Sequence, residues 1–375
     1  MHRLQNRALG IALGGAAFGG LIVGLTGAVS ASAAPLNGGG YASGWVYTST
    51  NATSGNQVEV FSRQANGTLT AAGTYNTGGT GTGAGGFSQG AVTLSQDQRT
   101  LLVVNAGSNQ VSDFAVLPGG ALRLRGVVAS GGTEPASVAI NGGLVEVLNA
   151  GGTPNVTGFL ATGSGLAAIP GGSQPLNAAA SGPEDVAISP DGRHVVVTEK
   201  LSDTIDTFAT GRGGTLAAAV TSASDSPLSF AEVFTPAGQL LVADDGAAGT
   251  SAVSPYRIAP DGTLHATQTA VADGQTAACW ISRAWNGDVF ADNAGSGTVA
   301  AYQASPGGQL TFLRNTSVGA GAVPLDNAVS SDGRDLYVLN RGDSALAEFS
   351  VGRDAQLTSV GTQALPAGSA GVAAS

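Results

Sequence analysis

Short runs of apolar and β-branched residues follow one another along the chain, and turn residues separate them. The clearest stretch extends from Pro183 to Leu216. Its first two runs flank Asp191-Gly192, a dipeptide that favours a tight hairpin. The lengths of the runs and the turns between them predict a unit of four antiparallel strands, which we call A to D.

The same unit recurs along the chain with a period of about 45 to 50 residues, which is typical of propeller blades. Strand B is predicted seven times, at residues 45–50, 100–105, 144–149, 195–199, 239–244, 288–293 and 335–340. Each strand C carries an aromatic residue near its end, at Phe61, Phe114, Phe159, Phe208, Tyr256, Tyr302 and Phe349. We expect these aromatics to pack between neighbouring units. The pattern therefore predicts an all-β, seven-bladed β-propeller with four antiparallel strands per blade.

The two ends of the pattern predict how the ring closes. The first predicted strand is a strand B that begins at Trp45, and the last is a strand A from Gly371 to Ala374. We expect the C-terminal strand to complete the N-terminal blade, which removes free sheet edges.

The first 33 residues have the features of a secretory signal peptide. Arg3 and Arg7 precede an apolar stretch, and Ala31-Ser32-Ala33 fits the small-residue cleavage motif. An uncleaved membrane anchor is the alternative, but the many glycines favour cleavage. We expect a signal peptide at 1–33, a short linker at 34–44 and a propeller at 45–375. The protein would then be secreted, free of the membrane after cleavage and monomeric.

Composition excludes several function classes. The chain has 15 basic and 25 acidic residues and a net charge of −10, which argues against binding nucleic acid. The single cysteine excludes an internal disulfide. Beyond the leader only His194 and His265 remain, both predicted to be peripheral, so a catalytic triad or a zinc site is disfavoured. We predict no cofactor. Calcium stays an alternative because oxygen ligands are plentiful.

Polar residues end most of the predicted B strands: Asn105, Asn149, Glu199, Asp244, Asn293 and Asn340. Because they share one blade position, they are candidates to line a pocket for a small, oxygen-rich molecule. The alternative is ordinary turn chemistry at strand ends. Among them, Glu199 and Asp244 are the candidate catalytic residues, since burial in a channel would raise the pKa of a carboxyl. Further candidates for substrate binding are Gln89, Trp280, Arg283 and Asp326.

The segments Ser189–Arg193 and Val196–Leu201, with Ser331–Asn340, resemble the lactonase-type propeller family, which includes bacterial 6-phosphogluconolactonases and fungal 3-carboxymuconate lactonising enzymes. The resemblance implies histidine, arginine and glutamate on the channel face, and Glu199 matches the family's strand-end glutamate. The family's arginine-histidine pair falls at Glu184 and Asp185 here.

Two functions follow as hypotheses. The first is a secreted lactonase-like propeller that binds a lactone or sugar acid at the channel face. In it, Glu199 would act as the general base, and the asparagines would donate hydrogen bonds to the oxyanion. The second is an extracellular propeller that binds a partner without catalysis.

Overall fold

The computed structural model describes residues 43–84, 89–177, 181–246 and 249–375. The predicted signal peptide and nearly all of the predicted linker lie outside these residues, so both stay predictions. Within the described ranges no helix is long and apolar enough to cross a bilayer.

Seven antiparallel sheets make up the described chain, as predicted. The first three blades contain β1 (Gly44–Ser49), β2 (Gln57–Arg63), β3 (Leu69–Asn76); β4 (Val92–Leu94), β5 (Thr100–Asn105), β6 (Gln110–Val116), β7 (Leu122–Ala129); and β8 (Thr133–Asn141), β9 (Leu144–Gly151), β10 (Asn155–Thr162), β11 (Gly165–Pro175). Blades 4 and 5 contain β12 (Pro183–Ile188), β13 (His194–Glu199), β14 (Thr204–Ala209), β15 (Val220–Ala223); and β16 (Ser229–Phe234), β17 (Leu240–Asp244), β18 (Ala252–Ile258), β19 (Leu264–Ala266), β20 (Val271–Ala272). Blades 6 and 7 contain β21 (Ala278–Arg283), β22 (Asp288–Asn293), β23 (Thr298–Ala304), β24 (Leu310–Ser317); and β25 (Pro324–Val329), β26 (Asp335–Asn340), β27 (Ala345–Val351), β28 (Leu357–Ala364).

The last strand, β29 (Ala370–Ala374), joins the first blade. It pairs antiparallel with β1 and becomes the innermost strand of that sheet, with Val46 opposite Ala374 and Thr48 opposite Val372. The predicted closure of the ring by the C-terminal strand is therefore confirmed. Blade 5 differs from the other blades, because two short strands, β19 and β20, both pair with β18 and together form its outermost strand.

Apolar side chains from neighbouring blades form the core. Phe208 packs with Leu148 and Val156 of the preceding blade, and Phe114 packs with Tyr47 and Val58. The other strand-C aromatics lie in equivalent inter-blade clusters, as predicted. Each blade thus buries an aromatic anchor against its neighbour, which holds the inner strands around a common axis.

A buried ion pair ties the first blade to the last. Arg63 at the end of β2 is 2% exposed, and its Nη1 lies 2.7 Å from Oδ2 of Asp335 at the start of β26. Its Nη2 also donates to the carbonyl oxygen of Ser43. Because removing one partner leaves a buried charge uncompensated, this contact makes ring closure sensitive to either residue.

Replacing Arg63 by methionine should therefore lower the free energy of unfolding by about 3 kcal/mol. Urea denaturation checks this value, with Arg193→Met as the matched control, since the Arg193 side chain is 80% exposed. Adding Asp335→Asn to the Arg63 variant should recover part of the loss. Equal stability of the Arg63 and Arg193 variants would contradict the account.

Candidate functional site

Polar side chains on the inner strands cross-link the central channel. Ser137 on β8 donates to Oδ1 of Asp185 on β12 over 2.6 Å. The backbone N–H of Val372 donates to Oδ2 of Asp326 over 2.9 Å, which connects β29 to β25. Gln89, just before β4, receives the N–H of Ile281 at its Oε1, and its Nε2 donates to the carbonyl of residue 232. Its side chain therefore connects blade 2 to blades 5 and 6 across the channel.

Among the described residues, buried carboxyl groups lie near one another around this network, on Asp185, Glu232, Asp292 and Asp326. Burial raises the pKa of Asp185 to about 7 and that of Asp292 to about 8. Burial also raises the pKa of Glu232 and of Asp326 well above the ordinary range, and the neighbouring carboxyls add to both shifts. At neutral pH Glu232, Asp292 and Asp326 are therefore mostly protonated, and Asp185 is about half protonated.

This burial predicts a pH-dependent stability. Unfolded aspartates ionise near pH 4, whereas Asp185 and Asp292 ionise at about 7 and 8 in the folded protein. The folded state keeps protons that the unfolded state has lost, so the stability from these groups is full below about pH 4 and is lost as pH rises towards 8.

The free energy of unfolding should fall by up to roughly 1.4 kcal/mol per pH unit for each carboxyl in this window. Urea titrations between pH 5 and pH 9 measure the slope, and Asp292→Asn should make it shallower. Stability that stays constant or increases from pH 5 to pH 8 would show that these carboxyls are not protonated in the fold.

A cavity of about 350 Å³ lies at the end of the channel where the inner strands begin and the second strands end. We call it the mouth cavity. Residues of blades 1 to 4 line it: Ser49, Asn51, Thr82, Ala84, Ala91, Val104, Ala106, Glu134, Pro135, Ala136, Ala150, Pro183, Glu184, Lys200 and Ala370. Its wall is mostly apolar with few charged groups, which is the usual character of a small-molecule site.

One ion pair dominates the electrostatics of the mouth cavity. Glu184, on inner strand β12, forms an ion pair with Nζ of Lys200, which directly follows β13. The ammonium also lies 4.4 Å from the ring centroid of Phe230, a cation–π contact that helps to hold it in place. Burial raises the pKa of Glu184, and Lys200 opposes that rise. The pair places an oriented base and an oriented cation in one partly buried space.

None of the six strand-end residues lines the mouth cavity. All six are buried, and most hydrogen bond to their own blade or to an adjoining loop. Asn105 donates to Ser112, Asn149 to the carbonyl of Ser130, and Asn293 to Asp273. Oδ1 of Asn340 accepts the N–H of Val323. These hydrogen bonds are the ones expected of asparagines that stabilise turns at strand ends. The role of these residues in substrate binding stays a prediction.

The two candidate catalytic carboxyls are also enclosed. Asp244 accepts hydrogen bonds from Ser229 and Ser254, and burial raises its pKa to about 7. Glu199 is 0% exposed, and burial together with Asp206 raises its pKa to about 8. Each carboxyl points into its own blade, so the structure does not bring the two together in one cavity. Their catalytic roles stay predictions.

The remaining candidates are dispersed. Gln89 and Asp326 lie in the channel network described above, whereas Trp280 is 2% exposed and packs against Phe230 at 5.9 Å between ring centroids. Arg283 lies at the far end of its inner strand and lines a cavity on the opposite face. Among the described residues, no group of three or more His, Cys, Asp or Glu side chains is placed to hold a metal ion.

Comparison with known proteins supports the architecture independently. The family model described as "Lactonase, 7-bladed beta-propeller" matches residues 47–160 and 153–281. A solved 6-phosphogluconolactonase, described as putative, from Bacteroides fragilis is similar at 20% identity and a TM-score of 0.69, covering 89% of this chain and 98% of the other. The periplasmic gluconolactonase of Pseudomonas aeruginosa is similar at 20% identity and a TM-score of 0.68, covering 88% and 98%.

At these identities the solved structures show the fold alone, and no curated protein matches the chain. The family model, however, spans more than half of the sequence, and its seven-bladed plan agrees with the observed ring. The protein therefore belongs to the lactonase family of seven-bladed β-propellers.

Proposed function

We propose that this protein hydrolyses a lactone of the sugar-acid type in its mouth cavity. The observation that carries the proposal is the Glu184–Lys200 pair in a cavity at the channel mouth. Family membership supports the reaction class, and the solved lactonases share the ring. A secreted protein, which the leader predicts, would meet its substrate outside the cell, and this argues against a phosphorylated intermediate of central metabolism.

In the proposed reaction, Glu184 removes a proton from water as the water oxygen attacks the lactone carbonyl. Lys200 donates a hydrogen bond to the carbonyl oxygen and stabilises the negative charge that develops on it. The carbon–oxygen bond of the ring then breaks, and protonated Glu184 returns its proton to the leaving oxygen. The product is an open-chain hydroxy acid, and no other reactant is consumed.

Glu184 suits the base role better than Glu199. A base must be ionised before it acts, and the ammonium of Lys200 favours the ionised form of Glu184. The pKa of Glu199 is about 8, so its carboxyl is mostly protonated at neutral pH, and it does not line the cavity. We therefore give Glu199 no direct part in the proposed reaction.

A pH-stat screen tests the proposal, because opening a lactone releases one proton per turnover. Aldonolactones with five- and six-membered rings are the substrates, and simple alkyl lactones are the comparison. We expect saturable hydrolysis of at least one aldonolactone. Saturable binding of lactones without hydrolysis would favour the non-catalytic binding protein, and absence of both would reject the site.

A further inference from the structure

A second and larger cavity lies on the opposite face of the ring. Its volume is about 750 Å³, and it spans blades 4 to 6 where hairpins connect the inner strands to the second strands. It shares no lining residue with the mouth cavity. We call it the hairpin cavity.

The guanidinium of Arg283 lines the hairpin cavity. Nε of Arg283 donates to the carbonyl oxygen of Phe234 over 2.8 Å, and Nη1 donates to that of Ala284 over 3.2 Å. Within the described residues no carboxylate forms an ion pair with Arg283. Burial partly desolvates the Arg283 guanidinium, which lowers its pKa. In a chain with 25 acidic and 15 basic residues, a half-buried arginine left unpaired is suited to an external anion.

A fixed and exposed indole lies in the same cavity. Trp285 is 71% exposed, whereas Trp280 is 2% exposed. Nε1 of Trp285 donates to the carbonyl oxygen of Asp332 in blade 7 over 3.1 Å, which orients the ring. An exposed aromatic face held in one orientation is suited to stacking on the apolar side of a sugar ring.

Polar groups for hydroxyl recognition complete the lining. Asp191 and Asn286 border the cavity, and Arg257 and His194 provide further donors. The carboxylate of Asp191 would repel a doubly charged phosphate, but it accepts hydrogen bonds from hydroxyl groups. The lining therefore combines a half-buried anion anchor at Arg283, an exposed second guanidinium at Arg257, a stacking surface and several hydroxyl partners.

We propose that the hairpin cavity is a second binding site, and that it takes a sugar acid. The carboxylate of the ligand pairs with Arg283, its ring stacks on Trp285, and its hydroxyls bond to Asp191 and Asn286. This assignment does not depend on catalysis in the mouth cavity.

Titration of the full chain with galacturonate tests the assignment, using calorimetry and tryptophan fluorescence. Galactose is the neutral counterpart with the same ring, and inorganic phosphate is the anion without a ring. We expect saturable binding of galacturonate, at least about tenfold weaker binding of galactose, and weak binding of phosphate.

Three variants locate the binding. Trp285→Ala should weaken galacturonate and galactose alike, whereas Arg283→Gln should reduce galacturonate binding to the level of galactose. Arg123→Gln, a change at an exposed arginine on β7, is the matched control and should leave both affinities unchanged.

Because Trp285 is exposed, its replacement is compatible with the fold, so the test does not depend on the Arg283 variant alone. Equal affinity for galactose and galacturonate would overturn the role of Arg283. Unchanged binding in the Trp285 variant, or no saturable binding, would overturn the site.

Discussion

Replacing Glu184 by glutamine should lower the rate constant for lactone hydrolysis by about 100-fold or more, the usual effect of removing a general base. The substitution keeps the size and the hydrogen-bonding capacity of the side chain but cannot accept the proton of the attacking water. KM should change little, since Lys200 remains to bind the carbonyl. Steady-state kinetics by pH-stat measure both constants.

Two matched variants make this result specific. Glu134→Gln removes a negative charge from the rim of the same cavity and should change the rate less than about threefold. Glu199→Gln replaces a carboxyl that is already mostly protonated at neutral pH, so its effect should also be small. Loss of activity in the Glu199 variant with full activity in the Glu184 variant would return the base role to Glu199.

Deleting residues 370–375 should abolish the cooperative fold of the ring. This segment includes β29, the innermost strand of blade 1, and its loss removes the inner partner of β1 and one oxygen contact of Asp326. The lost backbone hydrogen bonds, at about 1 kcal/mol each, amount to a large share of a typical stability of roughly 5–15 kcal/mol. The exposed edge of β1 should also promote self-association.

Urea denaturation and size-exclusion chromatography measure these effects. A rearranged chain is the control, in which the same segment is moved ahead of residue 43 through a short hairpin turn. The geometry allows this, because the N–H of Ser375 donates to the carbonyl of Trp45 over 2.9 Å. We expect the rearranged chain to recover cooperative unfolding. A truncated chain that unfolds at the same urea concentration as the full chain would contradict closure by β29.

The fold was predictable because every blade repeats the same local signals. Hairpin dipeptides such as Asp191-Gly192 and the recurring strand-C aromatics mark the strands without any knowledge of the tertiary structure. The predicted B strand at 335–340 matches β26 in both bounds. Closure was also predictable. The strand pattern begins with a strand B and ends with a strand A, so a ring of whole blades requires these two strands to pair in one sheet.

The site was less predictable, because neighbouring residues in a strand point to opposite sides. Sequence reasoning selected the strand-end residue Glu199, but the residue that follows it, Lys200, reaches the mouth cavity. The same shift applies at Asn105 and Asn149, where Ala106 and Ala150 line the cavity. The pairing of Glu184 with Lys200 also needed the register between β12 and β13, which places Pro183 opposite Glu199.

The buried carboxyls of Glu232 and Asp292 were not selected from the sequence. Glu232 lies within a short, mostly apolar strand, whereas Asp292 lies in a strand that also contains Asp288 and Asn293. Neither acid carries a local signal for its depth in the ring. The only available indication is that a charged residue inside a predicted inner or second strand must be protonated or hydrogen bonded.

The central claim is that the mouth cavity holds the lactone against Glu184 and Lys200. A crystal structure of the Glu184→Gln variant, soaked with an aldonolactone that the unmodified protein hydrolyses, tests this claim most directly. We predict density for the lactone in the mouth cavity, with its carbonyl oxygen within hydrogen-bond distance of Nζ of Lys200. Density for the lactone only at another site, such as the hairpin cavity, would contradict it.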